Sequence, residues 1–205
     1  MRRFVLAVAV VGAVAGCGAA PRSSAFAAPN AVAIGFCQDM SVHHQQAVLM
    51  SQFALTKGTP AIRGIALSIL SSQSEEVGAM RGWLKVWGQS PIDAHPMGWM
   101  GAMPGMSMAP STSPNAAVMP GMATPLQLID LYQRTGRAFD ILFLQLMIRH
   151  HLAGVDMARH AIADHAAQPV LDAARQMIAA QVEDIGAMRA ILSADGGHEL
   201  APATF

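Results

Sequence analysis

The stretch FCQDMSVHHQQAVLM, residues 36–50, returns as FLQLMIRHHLAGVDM at residues 143–157. Phe36, Met40, His43, His44, Val48 and Met50 recur as Phe143, Met147, His150, His151, Val155 and Met157, a constant offset of 107. Further along, QSEEVGAMR at 73–81 matches QVEDIGAMR at 181–189, now at an offset of 108. Rare residue types repeated in order over two separated segments mark an internal duplication.

Each copy carries two helical patterns. In the first, Lys57-Gly58-Thr59-Pro60 offers a glycine stop, a threonine N-cap and a proline at the first helical position. In the second, Pro169 opens the later helix. The patterns predict helices at about 36–57, 60–87, 137–165 and 169–193, with a shorter one from Thr124-Pro125 to near Gly136. Two amphipathic hairpins bury their apolar stripes best against each other. The predicted fold is therefore all-α, a four-helix bundle made of duplicated hairpins at 36–88 and 125–195. Together with the connection at 89–124 they form one domain over 36–195, followed by a tail at 196–205.

Composition agrees with this. The chain of 205 residues is 53% hydrophobic and 13% charged, too apolar for disorder. A formal net charge of zero leaves no basic footprint for nucleic acid. Arg2 and Arg3 precede an apolar run from Phe4 to Val14, the pattern of an export signal and too short to span a membrane. The run ends Val14-Ala15-Gly16-Cys17, similar to the bacterial lipobox. Residues 1–16 are therefore expected to be a lipoprotein signal peptide, Cys17 the lipidated residue and 17–35 a flexible tether. The expected location is extracytoplasmic, in the periplasm or on the outer cell surface, with a lipid anchor in the membrane. Cys37 is the one other cysteine, so no disulfide framework exists inside the mature chain. It is either a small buried residue or a soft metal ligand.

At about 100° per residue, Met40, His43, His44, Ala47 and Met50 share one face of their helix. Met147, His150, His151, Gly154 and Met157 do the same, and Gln73, Glu76, Val77 and Met80 form a stripe on the second helix. A core stripe made of imidazole, thioether, amide and carboxylate needs partners. Each other, water or a metal ion could satisfy it, and an unsatisfied buried group costs about 1–3 kcal/mol. Imidazole with thioether favours copper, because thioether is soft. Adjacent histidines diverge by about 100°, so one of each pair is expected inward and the other nearer the surface or a second ligand. The candidate metal residues are His43, His44, Met40, Met50, Met80, His150, His151, Met147, Met157 and Met188. Between the copies, 89–124 is rich in Pro, Gly and Ser and holds seven methionines within 97–122. It is read as a flexible connection whose Met97, Met100, Met103, Met106 and Met108 are auxiliary metal ligands, with His95 beside them.

These residues resemble the family catalogued as domain of unknown function 305. Its pattern appears here as Phe36, Met40, His43, His44, Ala47, Met50, Gln73, Glu76, Val77, Met80, Trp83 and Leu84, with Asp140 before Phe143 in the second copy. The resemblance implies a ferritin-type bundle and periplasmic copper binding or resistance. The copies depart from each other at Ala33 against Asp140, Glu76 against Asp184 and Trp83 against Ile191.

Three functions compete. The first is binding of Cu(I) or Cu(II) for sequestration, resistance or transfer, with a copper-transfer partner or a second copy of the chain as further partners. The second is a ferritin-like metal oxidase, which would need Glu-x-x-His on two helices. Glu75, Glu76, Glu183 and Glu199 are all the glutamates, and none has His three residues on. The third is an envelope scaffold whose polar stripe is only hydrogen-bonded. The chain is expected not to be an enzyme.

Overall fold

The computed structural model describes residues 28–101, 117 and 119–201. Within them the fold is a four-helix bundle of two antiparallel hairpins. The first pairs α1 (Ala31–Lys57) with α2 (Pro60–Val86), and the second pairs α4 (Gly136–Ala163) with α5 (Val170–Ala194). A short α3 (Pro125–Gln133) leads into the second hairpin. The principal contact between hairpins is α1 against α4. His43 meets His150 there, while Met40 shares an apolar cluster with Met157, and Met50 shares another with Met147. Those pairings run in opposite directions along the two helices, so α1 and α4 are antiparallel. No helix among the described residues is long and apolar enough to cross a membrane.

Helix α1 starts at Ala31, five residues ahead of the expected position, because Asn30 caps it. The Asn30 side chain accepts from Ala33 N at 2.9 Å. It also accepts from Ala167 N at 3.2 Å and donates to the His165 carbonyl at 2.8 Å, fastening this helix start to the α4–α5 connection. Such a cap contributes about 1 kcal/mol. The tether expected over 17–35 thus gives way to helix from Ala31. Gly58 ends α1 as expected, though with φ −73 its backbone needs no left-handed turn. Space is the reason for glycine. A Cβ would come within 2.7 Å of Ile62 Cγ2 and 2.8 Å of the Ala54 carbonyl. Buried Asp140 then accepts from Thr59 N at 3.3 Å, tying the α1–α2 turn to α4. Pro169 stands just outside α5, which begins at Val170, and α3 stops at Gln133 rather than near Gly136.

The connection between the hairpins is built into the bundle at both described ends. Met97, Met100, Met119 and Met122 are all buried, Met97 preceding and Met100 ending a 3-10 turn at Gly98–Met100. They pack in one apolar cluster with Phe36, Cys37, Met40, Met80, Met157 and Met177. Buried Asp39 fixes the first end, its Oδ2 accepting from Met97 N at 2.6 Å and from Trp99 Nε1 at 2.9 Å. Trp99 lies edge-on to Phe36 and in the notch left by Gly35. Gln46 fixes the second end, accepting from Ala123 N at 2.6 Å and donating to Ala123 O at 3.0 Å. The expectation of a flexible connection is corrected for 97–101 and 119–123. Backbone groups there, lacking helical partners, are bonded by polar side chains of α1.

Candidate metal centre

The duplication brings all four histidines of the two pairs into one layer across the middle of the bundle. His43, His44 and His151 have no solvent exposure and His150 has 1%. The surface position expected for the second histidine of each pair is therefore corrected: both histidines of each pair are interior. The angular divergence between neighbours is real, but both directions are interior. One ring of each pair faces the other hairpin, and the second faces the partner helix of its own hairpin.

His43 and His150 form the inter-hairpin pair, stacked with centroids 3.7 Å apart and planes 29° from parallel. Burial pushes both imidazoles well below their ordinary 6.5, and the neighbouring histidines oppose a positive charge further. Both are neutral at physiological pH. His150 Nε2 lies 3.0 Å from the His43 carbonyl oxygen. A carbonyl only accepts, so Nε2 of this neutral ring carries the hydrogen and Nδ1 keeps the lone pair.

His44 and His151 turn towards α2 and α5. His44 Nε2 is 2.8 Å from Glu76 Oε2, and His151 Nε2 is 3.4 Å from Asp184 Oδ2. The His44 contact has the length of a hydrogen bond without the alignment of one, and neither ring nitrogen of His44 has a hydrogen-bonded partner. It is an electrostatic contact, in which the carboxylate favours the hydrogen on Nε2. Gln73 and Gln181, repeat mates, complete the layer. Gln73 Nε2 reaches across to His151 Nε2 at 3.5 Å, whereas Gln181 stays in its own hairpin against Gly154. A Cβ at residue 154 would fall 2.5 Å from Gln181 Oε1, so the glycine makes room for the amide. Residue 47, its repeat mate, is alanine. The halves are consequently similar in plan and different in detail.

The layer is rich in unused polar atoms. Both ring nitrogens of His43 and His44, Nδ1 of His150 and His151, Gln73 Oε1 and both amide atoms of Gln181 lack hydrogen-bond partners. Each would cost about 1–3 kcal/mol if nothing met it. The six core methionines flank the layer and are wholly buried. Met40, Met80 and Met157 belong to one apolar cluster, and Met50, Met147 and Met188 to the other. Among the described residues, no three His, Cys, Asp or Glu side chains converge as a metal-ligand group.

Cys37 is fully buried, and burial pushes its thiol up to about 12, so it packs as an uncharged thiol. Of the connection's methionines, Met97 and Met100 serve as packing in the cluster of Met40 and Met80, while Met103, Met106 and Met108 lie outside the described residues, as does Cys17. His95 is exposed, unlike the four histidines of the layer. The carboxylates and amides facing the histidines were visible in the sequence only as a stripe. Their signal was the repeated Gln-x-x-acid spacing at 73/76 and 181/184.

Residues 33–192 match the family described as domain of unknown function (DUF305). A DUF305 crystal structure from Streptomyces coelicolor is 33% identical with a TM-score of 0.72, covering 82% of this chain and 95% of that one. A DUF305 fragment from Deinococcus radiodurans is 28% identical with a TM-score of 0.66, covering 82% and 99%. CopM in its Cu(II)-bound form is 25% identical with a TM-score of 0.60, covering 79% and 96%. CopM has also been solved in Cu(I)-bound and silver-bound forms, which at 22–23% identity share the fold. No curated protein matches the chain. With the family match spanning both hairpins and the same bundle in its relatives, the chain belongs to the DUF305 family.

Proposed function

We propose that the chain binds copper in the middle of the bundle, for sequestration or transfer outside the cytoplasm. The observation that carries this is the division of labour on the imidazoles. His150 and His44 each set Nε2 beside an acceptor, the His43 carbonyl and Glu76, while Nδ1 has no partner. A carboxylate or carbonyl behind a histidine holds its hydrogen on one nitrogen and raises the basicity of the other, the usual support for a metal-binding imidazole. The same four helices carry six wholly buried methionines, and imidazole with thioether selects copper over harder ions.

The ligands are drawn from His43, His44, His150, His151, Met40, Met50, Met80, Met147, Met157 and Met188. Both Cu(I) and Cu(II) suit such a set. The likeness to CopM, solved with copper and with silver, supports the assignment. Export is supported by the signal-like start and by the likeness to a secreted Streptomyces protein, and a lipid on Cys17 by the lipobox-like Val14-Ala15-Gly16-Cys17.

An anaerobic competition titration of the purified protein against a chromogenic Cu(I) chelator tests this. Wild type is expected to bind at about micromolar affinity or tighter, roughly −8 kcal/mol. A variant with His43, His44, His150 and His151 all changed to Gln, its helicity checked by circular dichroism, is expected to lose that binding. A variant lacking residues 102–116 is expected to keep it. Wild-type protein that takes up no more copper than an unrelated protein would leave an envelope scaffold as the better account.

A further inference from the structure

The two buried glutamines of the histidine layer are repeat mates that lie differently. In the second hairpin Gln181 rests against Gly154, where a Cβ would fall 2.5 Å from its Oε1. Residue 47, the mate of Gly154, is a fully buried alanine, whose Cβ closes the same pose to Gln73 in the first hairpin. Gln73 extends across the bundle instead. Its Nε2 meets Nε2 of His151, on α4 of the other hairpin, at 3.5 Å.

The chemistry of that contact fixes where the His151 hydrogen sits. An amide nitrogen only donates, so Nε2 of His151 accepts and keeps its lone pair. An imidazolium has no lone pair, so the ring that makes this bond is neutral, with its one hydrogen on Nδ1. Asp184 asks the opposite of the same nitrogen, because a carboxylate favours a hydrogen on Nε2. Its Oδ2 is 3.4 Å away, beyond the roughly 2.7–2.9 Å of a charge-assisted hydrogen bond, and its side chain is 23% exposed, so water shares its charge. Gln73 is only 2% exposed, and its N–H would stay buried and unmet if Nε2 became a donor. The amide therefore prevails at His151. At His44 neither ring nitrogen is bonded to an amide, Glu76 stands 2.8 Å from Nε2, and the hydrogen belongs on Nε2.

We propose that Gln73 is a positioning residue that locks His151 as its Nδ1–H tautomer, so that of the repeat-mate histidines His44 is ready to coordinate copper and His151 is held back. This rests on copper binding in the histidine layer. His44 keeps a lone pair free on Nδ1. His151 has none free, since Nδ1 carries the hydrogen and the Nε2 lone pair is held by Gln73. Coordination by His151 must first break the Gln73 bond or move the hydrogen. One amide reaching between hairpins thus makes the duplicated halves unequal.

Long-range proton–nitrogen correlation spectra of nitrogen-labelled, metal-free protein test the lock without copper, with His44→Gln and His151→Gln assigning the two rings. Wild type is expected to show the hydrogen on Nδ1 of His151 and on Nε2 of His44. Gln73→Leu removes the donor and is expected to move the His151 hydrogen to Nε2, towards Asp184, while Gln181→Leu leaves it on Nδ1. Gln73→Met, closer to glutamine in shape, takes its place should the leucine variant not fold. In anaerobic Cu(I) competition, Gln73→Leu is expected to tighten binding about three- to tenfold, the equivalent of about 0.7–1.4 kcal/mol for one hydrogen bond, and to have no such effect in a His151→Gln background. A wild-type hydrogen on Nε2 of His151, as when the amide presents its oxygen, overturns the lock, as does one that stays on Nδ1 in Gln73→Leu. A tautomer that moves with unchanged Cu(I) affinity overturns the holding back of His151. The expected tautomers in a wild type that binds no copper leave the lock standing and remove the copper assignment instead.

Discussion

A carboxylate buried at one residue can hold a loop in place and still disfavour its own charge. Asp39 does both. Its Oδ2 accepts from Met97 N and Trp99 Nε1, which favours the ionised form, yet burial outweighs these bonds and pushes the group from 3.8 up to about 6, with Asp93 adding to the rise. In the unfolded chain Asp39 ionises near 3.8. Between about pH 4 and 6 the folded protein consequently holds a proton that the unfolded chain has released. Stability falls as pH rises through that window, by about 3 kcal/mol for a shift of this size. Asp39→Asn keeps an acceptor for both donors and removes the titration. In metal-free urea denaturation, the variant is expected to gain about 2–3 kcal/mol on wild type between pH 4 and pH 7. An unchanged difference across that range would show that Asp39 is not held at about 6. The sequence did not single out this residue. Its partners lie 58 and 60 residues away, in a segment without periodicity, so no spacing rule connects them. The histidines were legible because two copies repeat them. Their common burial was not, since a helical wheel separates outward from inward only when one side faces water, and most of α1 faces protein.

At the scale of elements, the four long helices were legible from the apolar period and the Gly-Thr-Pro junction, each end falling within a few residues. The largest displacement, at the start of α1, traces to a cap that depends on the α4–α5 connection, a tertiary contact that local pattern does not contain. Composition alone makes the inter-hairpin connection look loose, because it carries no information on where methionines land. Segment 119–123 is seated on α4 through Gly121, at φ +78, where a Cβ would overlap Ala153 Cβ and come within 3.0 Å of the Arg149 carbonyl. Gly121→Ala therefore meets both backbone strain and a backbone neighbour that cannot rotate away. It is expected to cost about 2–3 kcal/mol and to speed hydrogen exchange at Ala123 N, now bonded to Gln46. Gly101→Ala, at φ +72 and ψ −178 with nothing within 4 Å, meets backbone strain alone, about 1–3 kcal/mol, and is expected to leave exchange at Ala123 N unchanged. Unchanged exchange at Ala123 N in Gly121→Ala would mean that the seat on α4 contributes nothing.

At the scale of the molecule, duplication followed by antiparallel packing of α1 on α4 mixes the copies. Met40 and Met80 come from the first hairpin, but the other candidate ligand in their cluster is Met157 from the second. Met147 and Met188 come from the second, and their companion is Met50 from the first. If these methionines are copper ligands, each donor set is completed by the other hairpin, so the duplicated halves cannot act as two independent binding units. This predicts which substitutions act together. Met40→Leu and Met157→Leu, 117 residues apart and in different copies, are expected to weaken the same copper equivalent, whereas Met50→Leu and Met147→Leu weaken the other. Methionine to leucine nearly conserves volume and is expected to change folding stability by less than about 1.5 kcal/mol, so lost binding can be read as lost sulfur. A double-mutant cycle for Met40 and Met157, measured by competition for Cu(I), is expected to show a coupling of about 0.5–3 kcal/mol, and the pair Met40 and Met147 none. Coupling that instead followed the copies, Met40 with Met50 and Met147 with Met157, would mean that each hairpin holds its metal alone and that the crossed clusters are packing only.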